Sequence, residues 1–417
     1  MSNVRGGDEI GHGLDRPRIG RRDALKAIVA LPLAASSVRL WAAPKASRPK
    51  LLVVFLRGGY DCASLLVPTS SSFYYESRPN IAIARPANSE AAGPAPALAL
   101  DADWGLHPAL AGSLYPLWQA GQLAFVPFAG IEDTSRSHFA TQDAIELGQP
   151  LDSRRDFQSG FMNRLASIVA RDASIAFTDQ LPVTFRGNER TATVAIRTVT
   201  KSQIDARQTA AIAAMYRDTP YATPVSEGFA MRDVVAKEML SEMEASGRNA
   251  ITATGFELEA RRVARLMRDR YALGFVDVGG WDTHVGQGGA TGFLATRFSA
   301  LGRGLAALAT EMGPAWNDTT VVVMSEFGRT FRENGNRGTD HGHGSVYWML
   351  GGGVRGGRVV GEQVKIDATT LFQNRDYPVL NEYRAVLGGL IARMYGLTNE
   401  QVQRVFAGSA PMDLGAV

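Results

Sequence analysis

The sequence predicts an α/β protein built on a mainly parallel sheet, and three stretches carry that prediction. Leu51–Leu56 is six apolar residues in a row, the pattern of a strand buried on both faces. Val321–Met324 is a second such run, and Phe275 to Val278 is a third, interrupted only by Asp277. An Ala/Leu-rich helical stretch, Gly292–Met312, joins the last two. Strand, helix and strand in that order make a crossover unit, which requires parallel strands.

Taken in order, Leu51–Leu56 is expected to be the first and central strand of the mature domain. Trp104 to Pro108 opens a helix running to about Ala120, and Leu123–Phe128 is the next strand. The loop from Gly130 to His138 leads into a helix ending before Gly148, with Ser137 at its N-cap. Residues around 150–270 read as a largely helical insertion. Apolar residues recur at helical spacing over 202–217, 227–247 and 254–271, and Leu181–Phe185 is expected to be a short strand between helices. Ser345–Leu350 is a further strand. The glycines that follow, Gly351 to Gly356, satisfy GxGxxG formally, but no helix opens after them, so the dinucleotide fingerprint fails on context and a tight turn between strands is expected. Asn381–Tyr395 is a helix closed by Gly396, and Thr398 with Gln401 forms a capping box for the last one.

Composition narrows the function classes. The formal net charge of the 417 residues is +3, yet residues 1–50 hold ten Lys/Arg against four Asp/Glu. The remainder holds 34 against 37, a net of −3, so the basic character belongs to the N-terminus and no nucleic-acid footprint is expected. Within that N-terminus, Arg21-Arg22 precedes a moderately apolar run, Ala27–Ala35, and small residues. This is the pattern of a twin-arginine signal over residues 1–46, with the twin-arginine translocase as the export partner and a periplasmic or secreted destination. The apolar run is too short for a permanent membrane span. The single cysteine, Cys62, rules out an intrachain disulfide and a cysteine metal cluster.

Chemistry-bearing residues gather after the predicted strands, where ligands collect in open α/β sheets. Asp61 follows the first strand. Asp282 and His284 follow the third run, in Gly-Gly-Trp-Asp-Thr-His, and Glu326 and Arg329 follow Val321–Met324. Asp340, His341 and His343 form the Asp-His-Gly-His segment, which holds two of six histidines. Acids and imidazoles among glycines can converge on one cation. Ser137, at the positive end of a helix, is a candidate nucleophile, and a plain N-cap is the competing reading.

LRGGxD after the first strand, RSHF, GGWDTH, SEFGRT and GTDHGHG together resemble the bacterial family called domain of unknown function 1501. That family resembles a branch of the alkaline phosphatase–sulfatase superfamily. The resemblance implies a three-layer α/β/α sandwich, alkaline phosphatase-like, over residues 48–410. It further implies a divalent metal ion (Zn, Mg, Mn or Ca) and hydrolysis of a small anionic ester of phosphate or sulfate. Matched position by position, Asp61, Asp282, His284, Glu326 and either His341 or His343 are the implied metal residues. Ser137 is the implied nucleophile, with Arg136 or Arg329 countering charge on the ester. Phe327 departs from the pattern, standing where the superfamily places a ligating histidine. That departure opens the alternative of a catalytically degenerate envelope binding or assembly protein. Cys62 is not in the Cys-x-Pro-Ser-Arg setting that sulfatases modify, so no formylglycine nucleophile is expected.

Overall fold

The computed structural model describes residues 48–86, 95–195, 206–230 and 256–417. The export signal and most of the helix read over 227–247 lie outside those residues. Twelve strands are described: β1 (Lys50–Arg57), β2 (Leu66–Pro68), β3 (Leu98–Ala99), β4 (Trp104–Leu106), β5 (Leu123–Gly130), β6 (Ser174–Phe177), β7 (Ala192–Thr193), β8 (Leu273–Gly279), β9 (Thr319–Ser325), β10 (Ser345–Leu350), β11 (Arg358–Val359) and β12 (Asn381–Glu382). The main sheet runs β11-β5-β10-β9-β1-β8-β6-β7, with β12 also on β5. β2, β4 and β3 form a small separate sheet.

β1 is central, parallel to β8 on one side and β9 on the other. Its residues alternate between two cores. Leu52, Val54 and Leu56 face helices 256–269 and 293–312, while Leu51, Val53 and Phe55 face helices 138–147, 161–169 and 383–395. A strand buried on both faces has no polar side to mark its alternation, which is why it reads as an unbroken apolar run. The result is a three-layer α/β/α sandwich with a mainly parallel sheet. Among the described residues no helix is long and apolar enough to cross a membrane.

One strand runs against the rest of the sheet, and two elements differ from expectation. β10 is antiparallel to both β9 and β5. The 326–344 connection contains no crossover helix, so the chain re-enters the sheet at the edge where β9 left it and must run back. Leu181–Phe185 is not a strand: Val183–Phe185 is a 3₁₀ turn, and the strands of this region are β6 and β7. These two extend the sheet beyond β8, so the stretch read as a largely helical insertion supplies sheet as well as helices. The helix expected from Trp104 is divided into β4, a 3₁₀ turn at Pro108–Leu110 and helix Leu114–Gln119.

Three described helices begin or end where the sequence signals place them. Ser137 caps helix 138–147, which closes on left-handed Gly148. Thr398 and Gln401 form both hydrogen bonds of a capping box, and Gly396 is left-handed at the end of helix 383–395.

Candidate metal centre

The carboxyl ends of β5, β1, β8 and β9 lie at one edge of the sheet, and the loop before β10 begins there too. Four loops therefore meet above this edge, because the loop after β9 is also the loop before β10. His138, Asp282 and His341 form a group whose ligand atoms all lie within 4.8 Å of one another. His138 Nε2 is 2.9 Å from His341 Nε2 and 3.6 Å from Asp282 Oδ2. His341 Nε2 is 3.2 Å from Asp282 Oδ1. His284 adjoins the group, its Nε2 2.9 Å from Asp282 Oδ1 and 3.2 Å from His341 Nε2.

The outer nitrogens decide what the inner ones can do. His138 Nδ1 donates to Glu326 Oε1 at 2.8 Å, and His284 Nδ1 donates to Asp340 Oδ1 at 3.0 Å. His341 Nδ1 donates to the Arg136 carbonyl at 3.0 Å. Each acceptor holds its imidazole as the Nδ1–H tautomer, which leaves the lone pair on Nε2. Lone pairs then face one another at 2.9 and 3.2 Å beside the Asp282 carboxylate. Such an arrangement is repulsive until a cation enters it. Imidazoles backed by carboxylates or carbonyls are also the usual support of metal-ligating histidines. For a tetrahedral ion with bonds of about 2.0–2.1 Å the donors stand about 3.3 Å apart, within the spread seen here. The residues fit a divalent ion.

Electrostatics hold the carboxylates ionised. Burial opposes the Asp282 charge, but Arg329 (Nη1 to Oδ1, 2.7 Å), His284 and His341 outweigh it and keep its pKa below the ordinary carboxylate value. Glu326 is fully buried. Its Oε1 accepts from His138 Nδ1, Gln142 Nε2 and Gly58 N, each at 2.8 Å, and its Oε2 accepts from Ser325 Oγ. Burial pushes the Glu326 pKa up, and these donors more than reverse the effect. The Glu326 bond in turn raises the pKa of His138. Glu326→Gln keeps the shape but offers His138 Nδ1 a weaker acceptor. We expect metal affinity to fall roughly 10–100-fold, measured by competition with a chromogenic chelator, with the fold intact by circular dichroism.

The backbone around the site is shaped to bring these groups together. Gly58 has φ +122° and lies so close to the Asp282 backbone nitrogen that a Cβ would sit 2.7 Å from it. Gly59, at φ +61°, leaves room for the Phe327 ring. Phe327 is buried against both imidazoles, its centroid 4.9 Å from that of His138 and 5.1 Å from that of His341. It forms an apolar floor. Arg136 takes φ +52°, costly for a residue with a side chain, and this places its carbonyl on His341.

Of the residues expected to hold metal, Asp282, His284 and His341 come together. Glu326 and Asp340 stand one hydrogen bond behind, orienting His138 and His284. Asp61 is a correction. Its fully buried carboxylate takes both terminal nitrogens of Arg78 at 2.6 and 3.0 Å, plus Ser64 Oγ and Gln287 Nε2, which leaves it occupied by the protein itself. His343 is a second correction: it is buried with its ring 4.6 Å from that of Phe372, and burial lowers its pKa. The two arginines also differ from expectation, because both guanidiniums are already paired. Arg136 binds Asp376, and Arg329 binds Asp282 and the Thr339 carbonyl. Ser137 acts as the N-cap, accepting from Ala140 N at 3.5 Å. His138 is the residue that sequence reasoning missed. It follows a buried strand and its loop, as His284 does, and that shared placement was the available signal.

Six solved chains are similar to this one, two of them as follows. One is the crystal structure of Ps i-CgsB in complex with k-i-k-neocarrahexaose, at 9% identity and a TM-score of 0.38, covering 87% of this chain and 75% of that one. The other is an alkaline phosphatase superfamily protein from Vibrio parahaemolyticus, at 12% identity and a TM-score of 0.32, covering 73% of this chain and 60% of that one. Overlays of this quality transfer no residue roles. No curated protein matches the chain. The family described as Protein of unknown function (DUF1501) matches residues 48–406, and the chain belongs to it.

Proposed function

We propose that this chain is an exported, metal-dependent hydrolase of phosphate or sulfate esters. One observation carries the reading: facing Nε2 lone pairs beside Asp282, each imidazole fixed from behind. A nitrogen-rich donor set of this kind favours zinc over magnesium or calcium, which prefer oxygen. A bound divalent ion supplies positive charge to polarise a non-bridging oxygen of the ester. His138, Asp282 and His341 hold it, with His284 beside them. Ser137 precedes His138 directly, at the positive end of helix 138–147, where negative charge on an attacking oxygen is favoured. Its hydroxyl is the nucleophile in this reading. Arg329 positions Asp282, and Arg136 serves through its carbonyl. Residues 1–46 direct the folded chain to the twin-arginine translocase, and Arg21→Lys with Arg22→Lys should hold it in the cytoplasm.

The test is turnover of aryl phosphates and sulfates by zinc-loaded protein, compared with Ser137→Ala. Zinc-dependent turnover that Ser137→Ala lowers by at least two orders of magnitude supports the reading. No turnover with zinc, manganese, magnesium or calcium sinks it. The buried Phe327 floor favours a second reading, a binding or assembly protein of the envelope without catalysis. Full rescue of a deletion strain by Ser137→Ala together with His341→Ala is its expected result.

A further inference from the structure

Beside the metal centre lies a cavity of about 580 Å³, large enough for one or two small rings. Helix 138–147 contributes to both. His138 is its first residue and points to the centre. Phe139, Gln142, Asp143 and Glu146, spaced three and four apart, line the cavity. Gln142 touches both regions, since it lines the cavity and donates to Glu326, the acceptor behind His138.

Two properties of the lining select a ligand. Phe139 is 82% exposed, an unusual state for a phenyl ring and one that leaves its face available to a flat apolar surface. The charge of the lining is acidic: Asp143, Asp179 and Glu259 stand beside Arg186, while Glu146 and Asp277 are matched by Arg57. Arg57 is committed, bonding Asp277 at 2.8 Å, Glu146 at 2.8 Å and Gln142 at 3.0 Å. Carboxylates repel an anion and accept hydrogen bonds from hydroxyl groups, more strongly than neutral acceptors do. An aromatic platform with carboxylate acceptors around it matches a ring that has one C–H face and a hydroxylated rim.

We propose that this cavity binds a non-anionic polyhydroxylated ring, a sugar, as the organic part of the substrate, with Phe139 as its stacking platform. The placement of the ester beside His138 rests on the hydrolase reading, but sugar binding is measured without turnover, so the two can fail separately. Saturation-transfer difference NMR on the intact zinc-loaded protein would use methyl β-glucoside, methyl β-galactoside and lactose, with glucuronate as the anionic ring. At least one neutral sugar should bind, with glucuronate at least tenfold weaker. Phe139→Ala should weaken the bound sugar tenfold or more, and Asp179→Asn should weaken it severalfold. Phe293→Ala, which removes another exposed ring outside the cavity, should change nothing. Because Phe139 is exposed, its loss leaves the fold intact and the result readable. Absence of binding by all three neutral sugars overturns the proposal. So does equal binding of glucuronate, or sugar binding that survives Phe139→Ala unchanged.

Discussion

Elemental analysis of the purified protein is expected to return about one divalent ion per chain, and His341→Ala to return almost none. His341 is the imidazole that lies nearest all the others: its Nε2 is 2.9 Å from His138 Nε2 and 3.2 Å from both Asp282 Oδ1 and His284 Nε2. Removing it takes away a donor and also frees the Arg136 carbonyl, the reason for that residue's left-handed backbone. The loss should exceed the roughly 10–100-fold effect of removing an outer hydrogen-bond partner. His343→Ala is the informative control. It lies two residues away in the same Asp-His-Gly-His segment, but its ring packs on Phe372, so metal content should stay near one. A metal-free wild-type protein after zinc loading, or equal metal in wild type and His341→Ala, refutes the site. One ion rather than two is expected because one group of converging ligand atoms is found among the described residues, and the Phe327 ring beside it offers no donor.

The contrast between His341 and His343 shows what a sequence can carry. Strands β1, β8 and β9 were readable because burial on both faces demands apolar residues at consecutive positions. Their loops were readable because acids, imidazoles and glycines follow each strand end. Which partner each side chain meets depends on other loops. His341 turns to the centre because Gly342 lets the backbone lie against Arg329, where a Cβ would sit 2.5 Å from the Arg329 carbonyl carbon. Asp61 and Asp282 look alike in sequence, each after a strand and near glycines. Only the position of Arg78, a helix away, separates a buried ion pair from a ligand. The short strands β6 and β7 lacked the length to give a pattern, and the apolar residues of 181–185 gave a false one. His138 was overlooked because its neighbour Ser137 carried the more familiar role.

Arg78→Ala is expected to cost roughly 3–5 kcal/mol of stability, the usual effect of stranding one member of a buried ion pair. Both side chains are fully buried, and Arg78 does more than neutralise Asp61. Its Nε donates to the Phe331 carbonyl at 2.6 Å and its Nη2 to the Thr330 carbonyl at 3.1 Å. Gln287 bonds Asp61 and accepts from Thr283 and Thr339. Asp61 therefore ties together the loops after β1, β8 and β9, the same loops that carry the metal centre, so Arg78→Ala should also weaken metal binding. Asp61→Leu with Arg78→Met removes both charges and should recover part of the stability lost by either single change, measured by urea unfolding. The pH dependence has a definite sign. Burial opposes the Asp61 charge, but Arg78, Ser64 and Gln287 outweigh it and hold the pKa below 3.8. The unfolded chain then binds the Asp61 proton first as pH falls, so the pair's contribution is complete above about pH 5 and is lost as pH drops through the folded value. In the double variant this acid-dependent loss should shrink. An unchanged acid limb there, or an Arg78→Ala protein as stable as wild type, would show that the three loops are held by other means.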